Sequence, residues 1–328
     1  MELPSLTVLS AVTQRYARLL ARFGDEIGAR PLVLPTSEFF PDTFTADEPS
    51  VTRLVSRMQD HAGIGDVPIK TVLVGTDGPV AKAGCGSGAC STIHGTDAEL
   101  ERLVEDGDGW RINVPAAELG HPVVLTTQLA RTLGLVFLLE TRGEGEALDA
   151  PIEVTAELSA VALGFGALLL EGSYIYAKSC GGPTVARATA LGPGELSFAL
   201  ALFAGQRGHS LRGALKEVGT TQRAVLGEAK GLVESNDGVV QALKTHPDRV
   251  AGGDFTLTES RPWLLRVLGG RPASRKSDDV SLEDVESLLA TLPAVPSVPK
   301  APRKRDEKRD ELRALVDEAL SENRAEAD

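Results

Sequence analysis

Apolar positions in this chain recur mainly at helical spacing. In residues 6–23, Leu9, Val12, Tyr16, Leu19, Leu20 and Phe23 fall on one face, and Gly24 supplies a stop. Residues 31–35 read as a short extended run, and 35–41 turn into an acidic loop. Ser50 is the expected N-cap of a second helix over 51–61. The β-branched run 70–75 (KTVLVG) predicts a strand, and 110–114 (WRINV) predicts another. A short helix is expected over 98–104.

Two long apolar helices are predicted next, over 122–140 and 152–170, with an acidic loop at 141–149 between them. Residues 174–180 are ambiguous. Residues 195–206 (ELSFALALFAGQ) read as a helix with Pro193 close to its start. Further helices are expected over 211–217, 222–233 and 238–244, with a short one at 262–268. This order predicts an α+β fold: a small mixed sheet near the N-terminal half, packed on a mainly helical body.

The pattern changes near the end. Ser281 can cap a helix over 282–292, and then Pro293, Pro296, Pro299 and Pro302 recur every third residue. That period suits a polyproline II spacer, roughly 30 Å long at about 3.1 Å per residue. Beyond it the chain is highly charged, with one narrow apolar stripe of Leu312, Leu315, Val316, Ala319 and Leu320. The expected organisation is a globular domain over 1–292, a proline-rich linker over 293–303 and an amphipathic helical tail over 304–328. The stripe offers a contact for a protein partner or a second copy. The plainer alternatives are a tail folded back on the body or a solvated helix.

Composition narrows the classes. Among 328 residues, aromatics are 4%, so the core must be built mainly from Leu, Val and Ala. A net charge of -12 argues against nucleic-acid binding over a broad surface. The apolar runs 133–139 and 160–170 are shorter than a membrane span, so no membrane partner is expected. No basic-then-apolar segment opens the chain, and there are three cysteines. Reduced thiols in the cytoplasm follow as the default expectation.

The helix over 122–140 carries Thr127, Gln128 and Arg131 among apolar residues, and Thr127 and Arg131 share a face. By itself this describes a buried helix whose few polar groups find partners. The surrounding order says more. The strand at 110–114 leads into this helix and then into the acidic loop. After it, Glu153-Val-Thr-Ala-Glu157 runs to Gly164-Phe-Gly166, and Ala190-Leu-Gly-Pro-Gly-Glu-Leu-Ser-Phe-Ala-Leu-Ala-Leu202 follows. This span, 110–207, resembles an uncharacterised bacterial family of zincin-type metallopeptidase homologues, whose helix carries His-Glu-Leu-x-His. The resemblance implies a zincin-like fold over about a third of the chain. It places Thr127, Gln128 and Arg131 at the His, Glu and His positions of that motif, and Glu157 at an acidic position able to serve as third ligand.

The departure from the motif bears directly on function. Without two imidazoles a lone carboxylate does not hold zinc tightly, and Gln128 cannot take a proton from water as Glu does. The expectation is a pseudoenzyme in which Arg131 takes the metal's space and pairs with Glu157, or with Glu153 one turn earlier. Its role would be binding or scaffolding.

The competing reading is an enzyme or a metal or redox protein that uses another loop. Cys85, Cys90 and His94 form C-x4-C-x3-H in a glycine-rich segment. They could supply three legs of a zinc site, a disulfide, or inert thiols. A third reading is a structural subunit of a larger assembly. Gly84 to Gly88 lacks the Gly-Lys-Ser/Thr ending of a phosphate loop. Lys178-Ser-Cys-Gly-Gly182 could house a nucleophile but has no identifiable partner histidine. His121 is expected to abut or cap its helix, and His209 and His246 to be solvated.

Overall fold

A computed structural model describes residues 2–75, 102–143, 146–179 and 182–259, all within one compact unit. Helix α1 (Leu6–Ile27) buries all six residues of the predicted face and continues one turn further, through a kink at Phe23, to Gly28. Helix α2 (Glu48–Ala62) starts earlier than expected. Its cap is Asp47, not Ser50: the Asp47 carboxylate accepts the Ser50 N–H at 2.8 Å. Asp47 holds an extended backbone before Glu48 and Pro49, a residue pair suited to a first turn, which leaves Ser50 inside the helix.

The small mixed sheet contains β1 (Ile69–Val74), β2 (Leu103–Asp106) and β3 (Gly109–Pro115) in the order β1-β3-β2. Strand β1 runs parallel to β3, with Ile69 opposite Trp110. Strand β2 runs antiparallel to β3, with Leu103 opposite Ile112. Leu103 and Val104 therefore belong to a strand, which corrects the last two residues of the helix expected over 98–104; Arg102 is helical, and 98–101 lie outside the described residues. A four-residue stretch carries little periodicity, and pairing of Leu103 with the fully buried Ile112 decides its conformation.

The helical body is built around α3 (Pro122–Thr141) and α4 (Ile152–Ala160). They approach closely where a Cβ on Gly134 would lie 2.3 Å from the Ala156 carbonyl oxygen. The helix predicted over 152–170 is not continuous. A wide π turn at Val161–Phe165 separates α4 from α5 (Gly166–Gly172). Gly164 there has φ 99°, and its carbonyl accepts the Val33 N–H at 3.0 Å. A Cβ on Gly164 would fall 2.1 Å from the Pro31 carbonyl oxygen. The helix opens where the extended segment after α1 crosses it, and only glycine fits.

Two helical stretches, Pro122–Thr141 and Ile152–Gly172, are long and apolar enough to cross a membrane by length and composition alone. This differs from the expectation drawn from unbroken apolar runs, because the helices continue through polar residues such as Thr127, Arg131 and Glu157. Of their apolar windows, 72% and 83% are buried inside the protein, as in the core helices of a globular body.

The ambiguous stretch after α5 forms a hairpin of β4 (Ile175–Ser179) and β5 (Gly182–Ala186). Helix α6 (Pro193–Arg207) is capped by Glu195, whose carboxylate accepts the Gly192 N–H at 2.6 Å. Helices α7 (Arg212–Glu217), α8 (Thr220–Ser235) and α9 (Asp237–Thr245) follow, near the predicted positions. The unpredicted α10 (Pro247–Ala251) packs on α1, where Gln14 Nε2 donates to the Ala251 carbonyl at 3.0 Å. The expected helices at 262–268 and 282–292, the proline linker and the tail stripe Leu312, Leu315, Val316, Ala319 and Leu320 lie outside the described residues.

Candidate functional site

Thr127, Gln128 and Arg131 of α3 face the interior, and each has a partner. Thr127, fully buried, donates from Oγ1 to the Leu168 carbonyl at 3.0 Å. Gly172 lies against it: a Cβ there would fall 2.2 Å from Thr127 Oγ1. This contact leaves little room at position 127 for a side chain larger than threonine.

One turn on, Arg131 is 5% exposed. Its Nε lies 2.7 Å from Glu157 Oε1 on α4, and Glu157 is fully buried. Arg131 Nη1 donates to Gln128 Oε1 at 3.2 Å and to the Ala188 carbonyl at 3.1 Å. Gln128 Nε2 donates to the same carbonyl at 3.3 Å. Glu157 accepts the N–H of Ala190 at 2.6 Å and of Leu191 at 2.8 Å. A buried carboxylate with one guanidinium and two backbone donors has most of its acceptor capacity filled.

Of the residues singled out by sequence, Thr127, Gln128, Arg131 and Glu157 come together. Glu153, half-buried in the first turn of α4, is one turn away, and Glu157 is the carboxylate that Arg131 meets. The partners that sequence reasoning missed are backbone groups of the segment between β5 and α6. Ala188, Ala190 and Leu191 contribute one carbonyl and two N–H groups. The Ala188 N–H in turn donates to the Gly172 carbonyl at 2.8 Å. Carbonyl and amide groups are common to all residues, so no side-chain pattern announces them.

A cleft of about 360 Å³ opens beside the N-terminal end of α3. Phe40, Phe44, Leu54 and Leu125 line it together with Thr36, Arg57 and Thr126. Its size lies in the range of small-ligand pockets. Arg57 there is paired with Asp42 at 3.1 Å.

The histidines follow expectation in part. His121 abuts the start of α3, with no side-chain cap hydrogen bond, and His246 is exposed. His209 is not simply solvated: Nε2 lies 2.8 Å from the Arg30 carbonyl, and its ring lies 5.4 Å from that of Phe203. His61 has Nε2 3.0 Å from the Phe39 carbonyl and sits between the edges of Phe39 and Phe40. Cys85, Cys90, His94 and Cys180 lie outside the described residues. Among the described residues no group of three or more His, Cys, Asp or Glu side chains is arranged to hold a metal ion.

No protein-family model, curated protein or solved structure matches this chain.

Proposed function

We propose that this chain is a catalytically inactive metallopeptidase-like protein that serves as a binding or scaffold component. One observation carries the reading: the Arg131–Glu157 pair, joined at 2.7 Å and sealed from solvent at the positions where the resemblance puts a metal ligand and a third ligand. A fixed guanidinium supplies the positive charge that a cation would otherwise bring to Glu157. It offers no Lewis acid and no open coordination position. Gln128 supplies no general base, and its amide is engaged with Arg131 and Ala188.

The cleft at the N-terminal end of α3 supports a binding role, since it brings apolar walls and a few polar groups together on the surface. The tail stripe Leu312, Leu315, Val316, Ala319 and Leu320 is proposed as the arm that meets a protein partner. The test is hydrolysis of a mixed peptide library by the full chain, with and without added zinc. The expected result is no turnover above buffer. Zinc-dependent turnover that disappears in Glu157→Gln would overturn the proposal.

A further inference from the structure

Three separate segments build the cleft at the N-terminal end of α3. The loop after α1 contributes Phe40, Asp42 and Phe44, α2 contributes Leu54 and Arg57, and α3 contributes Leu125 and Thr126. Leu54 and Arg57 stand at i and i+3 of α2, so they share a face. The volume, about 360 Å³, is at the small end of the range for ligand pockets. That is room for one or two large side chains, not for a folded surface. Phe44 is 38% exposed and stands outside the core cluster, so a large apolar ring is left open to solvent here.

Charge decides which chemistry fits. The lining holds one cation and one anion, Arg57 and Asp42, and they are already joined. An acid or an amine that enters between the apolar walls loses water and meets no net opposite charge. A neutral apolar group carries no such cost. The joined pair still has capacity for neutral polar groups. Arg57 Nε and Nη2 both donate to Asp42 Oδ2, at 3.3 and 3.1 Å. Among the described residues, Arg57 Nη1 and Asp42 Oδ1 make no bond.

One donor and one acceptor, both on part-exposed side chains, therefore stand beside an apolar pocket. A polypeptide backbone offers the matching carbonyl and N–H, and its side chain supplies the apolar group. We propose that this cleft binds an extended, uncharged segment of a partner polypeptide. One large apolar side chain of that segment sits among Phe40, Phe44, Leu54 and Leu125, and its backbone lies against Arg57 and Asp42. The inference rests on the binding role proposed above and names the class of partner.

The test screens the full chain against a bead-bound library of random octapeptides blocked at both termini. Retained peptides are expected to be enriched in Phe, Leu or Met at one position and not in charged residues. A retained peptide is then titrated by fluorescence polarisation against the parent, Phe44→Ser and Thr126→Arg. Binding is expected to weaken about 10-fold or more in each variant, as for loss or blockage of an interface anchor. Both variants should keep the parent's thermal transition. Phe44 stands outside the core cluster, and Thr126 Oγ1 bonds only to backbone carbonyls of its own helix. Equal binding by all three proteins would overturn the cleft and leave a binding role elsewhere on the chain. Enrichment of charged residues, or no retained peptide, would overturn the uncharged-peptide assignment. Self-association of the chain that Phe44→Ser abolishes, with no peptide bound, would give the cleft to a second copy and overturn it as well. Zinc-dependent cleavage of the retained peptide would overturn the inactive reading and not the cleft.

Discussion

Arg131 on α3 and Glu157 on α4 meet at 2.7 Å inside a body that leaves 5% of the first and none of the second exposed. Each also binds the segment between β5 and α6, through Ala188 on one side and Ala190 and Leu191 on the other. The pair thus joins two core helices and fixes the entry to a third. Removing one partner leaves a buried charge. Arg131→Met is expected to cost about 3–5 kcal/mol in urea unfolding. Glu157→Gln is expected to destabilise as well, and the double variant to fall short of the summed losses by about 1–3 kcal/mol. Strict additivity would show that the two side chains do not act as a pair.

Glycine positions should separate sharply by surroundings. Gly164→Ala places a Cβ against the Pro31 carbonyl at a positive φ, and a loss of more than about 1 kcal/mol is expected. Gly227→Ala, within α8 and with nothing within 4 Å of the new Cβ, is expected to gain about 0.5–1 kcal/mol. Thermal unfolding of the two variants beside the parent checks both signs.

Asp47 gives α2 a pH dependence. Hydrogen bonds from the Ser50 and Thr45 side chains and the Ser50 N–H hold its carboxyl below the usual aspartate value. A depressed folded-state pKa stabilises the fold above the unfolded value and loses that contribution as pH falls through the folded one. The stability gap between parent and Asp47→Ala is therefore expected to be constant at neutral pH and to shrink below about pH 4. A gap that widens on acidification would contradict this sign.

Truncation after residue 292 removes the proline spacer and the tail stripe. The hydrophobic core of the described residues is drawn from α1 to Leu257. Removal of 293–328 is expected to leave the thermal transition in place. Its collapse would make the tail part of the fold.

Much of this architecture is legible in the sequence, for physical reasons. The amphipathic face of α1 and the nearly uniform apolar character of α3 are long-range patterns that survive any local ambiguity. For Arg131 the sequence, with the resemblance, offers two carboxylates, Glu157 and Glu153, because a buried charge demands an opposite one; packing of α4 on α3 selects Glu157. What escaped was set by tertiary contact. The π turn at Gly164 exists because residues 31–33 cross there, and the cap of α2 moved to Asp47 because backbone geometry chose between two good capping residues. β2 owes its conformation to Ile112. The clamp on Arg131 from Ala188 uses a main-chain carbonyl and leaves no trace in residue type.

The most direct measurement is the zinc content of Cys85→Ser/Cys90→Ser protein after equilibration with zinc and removal of the excess, with Glu157→Gln in the same background alongside. If Arg131 fills the place of a metal, the Thr127–Arg131 helix retains no zinc and the two proteins are alike. About one zinc per chain, held by the first protein and lost from the Glu157→Gln variant, would mean that the guanidinium does not replace a cation at this site.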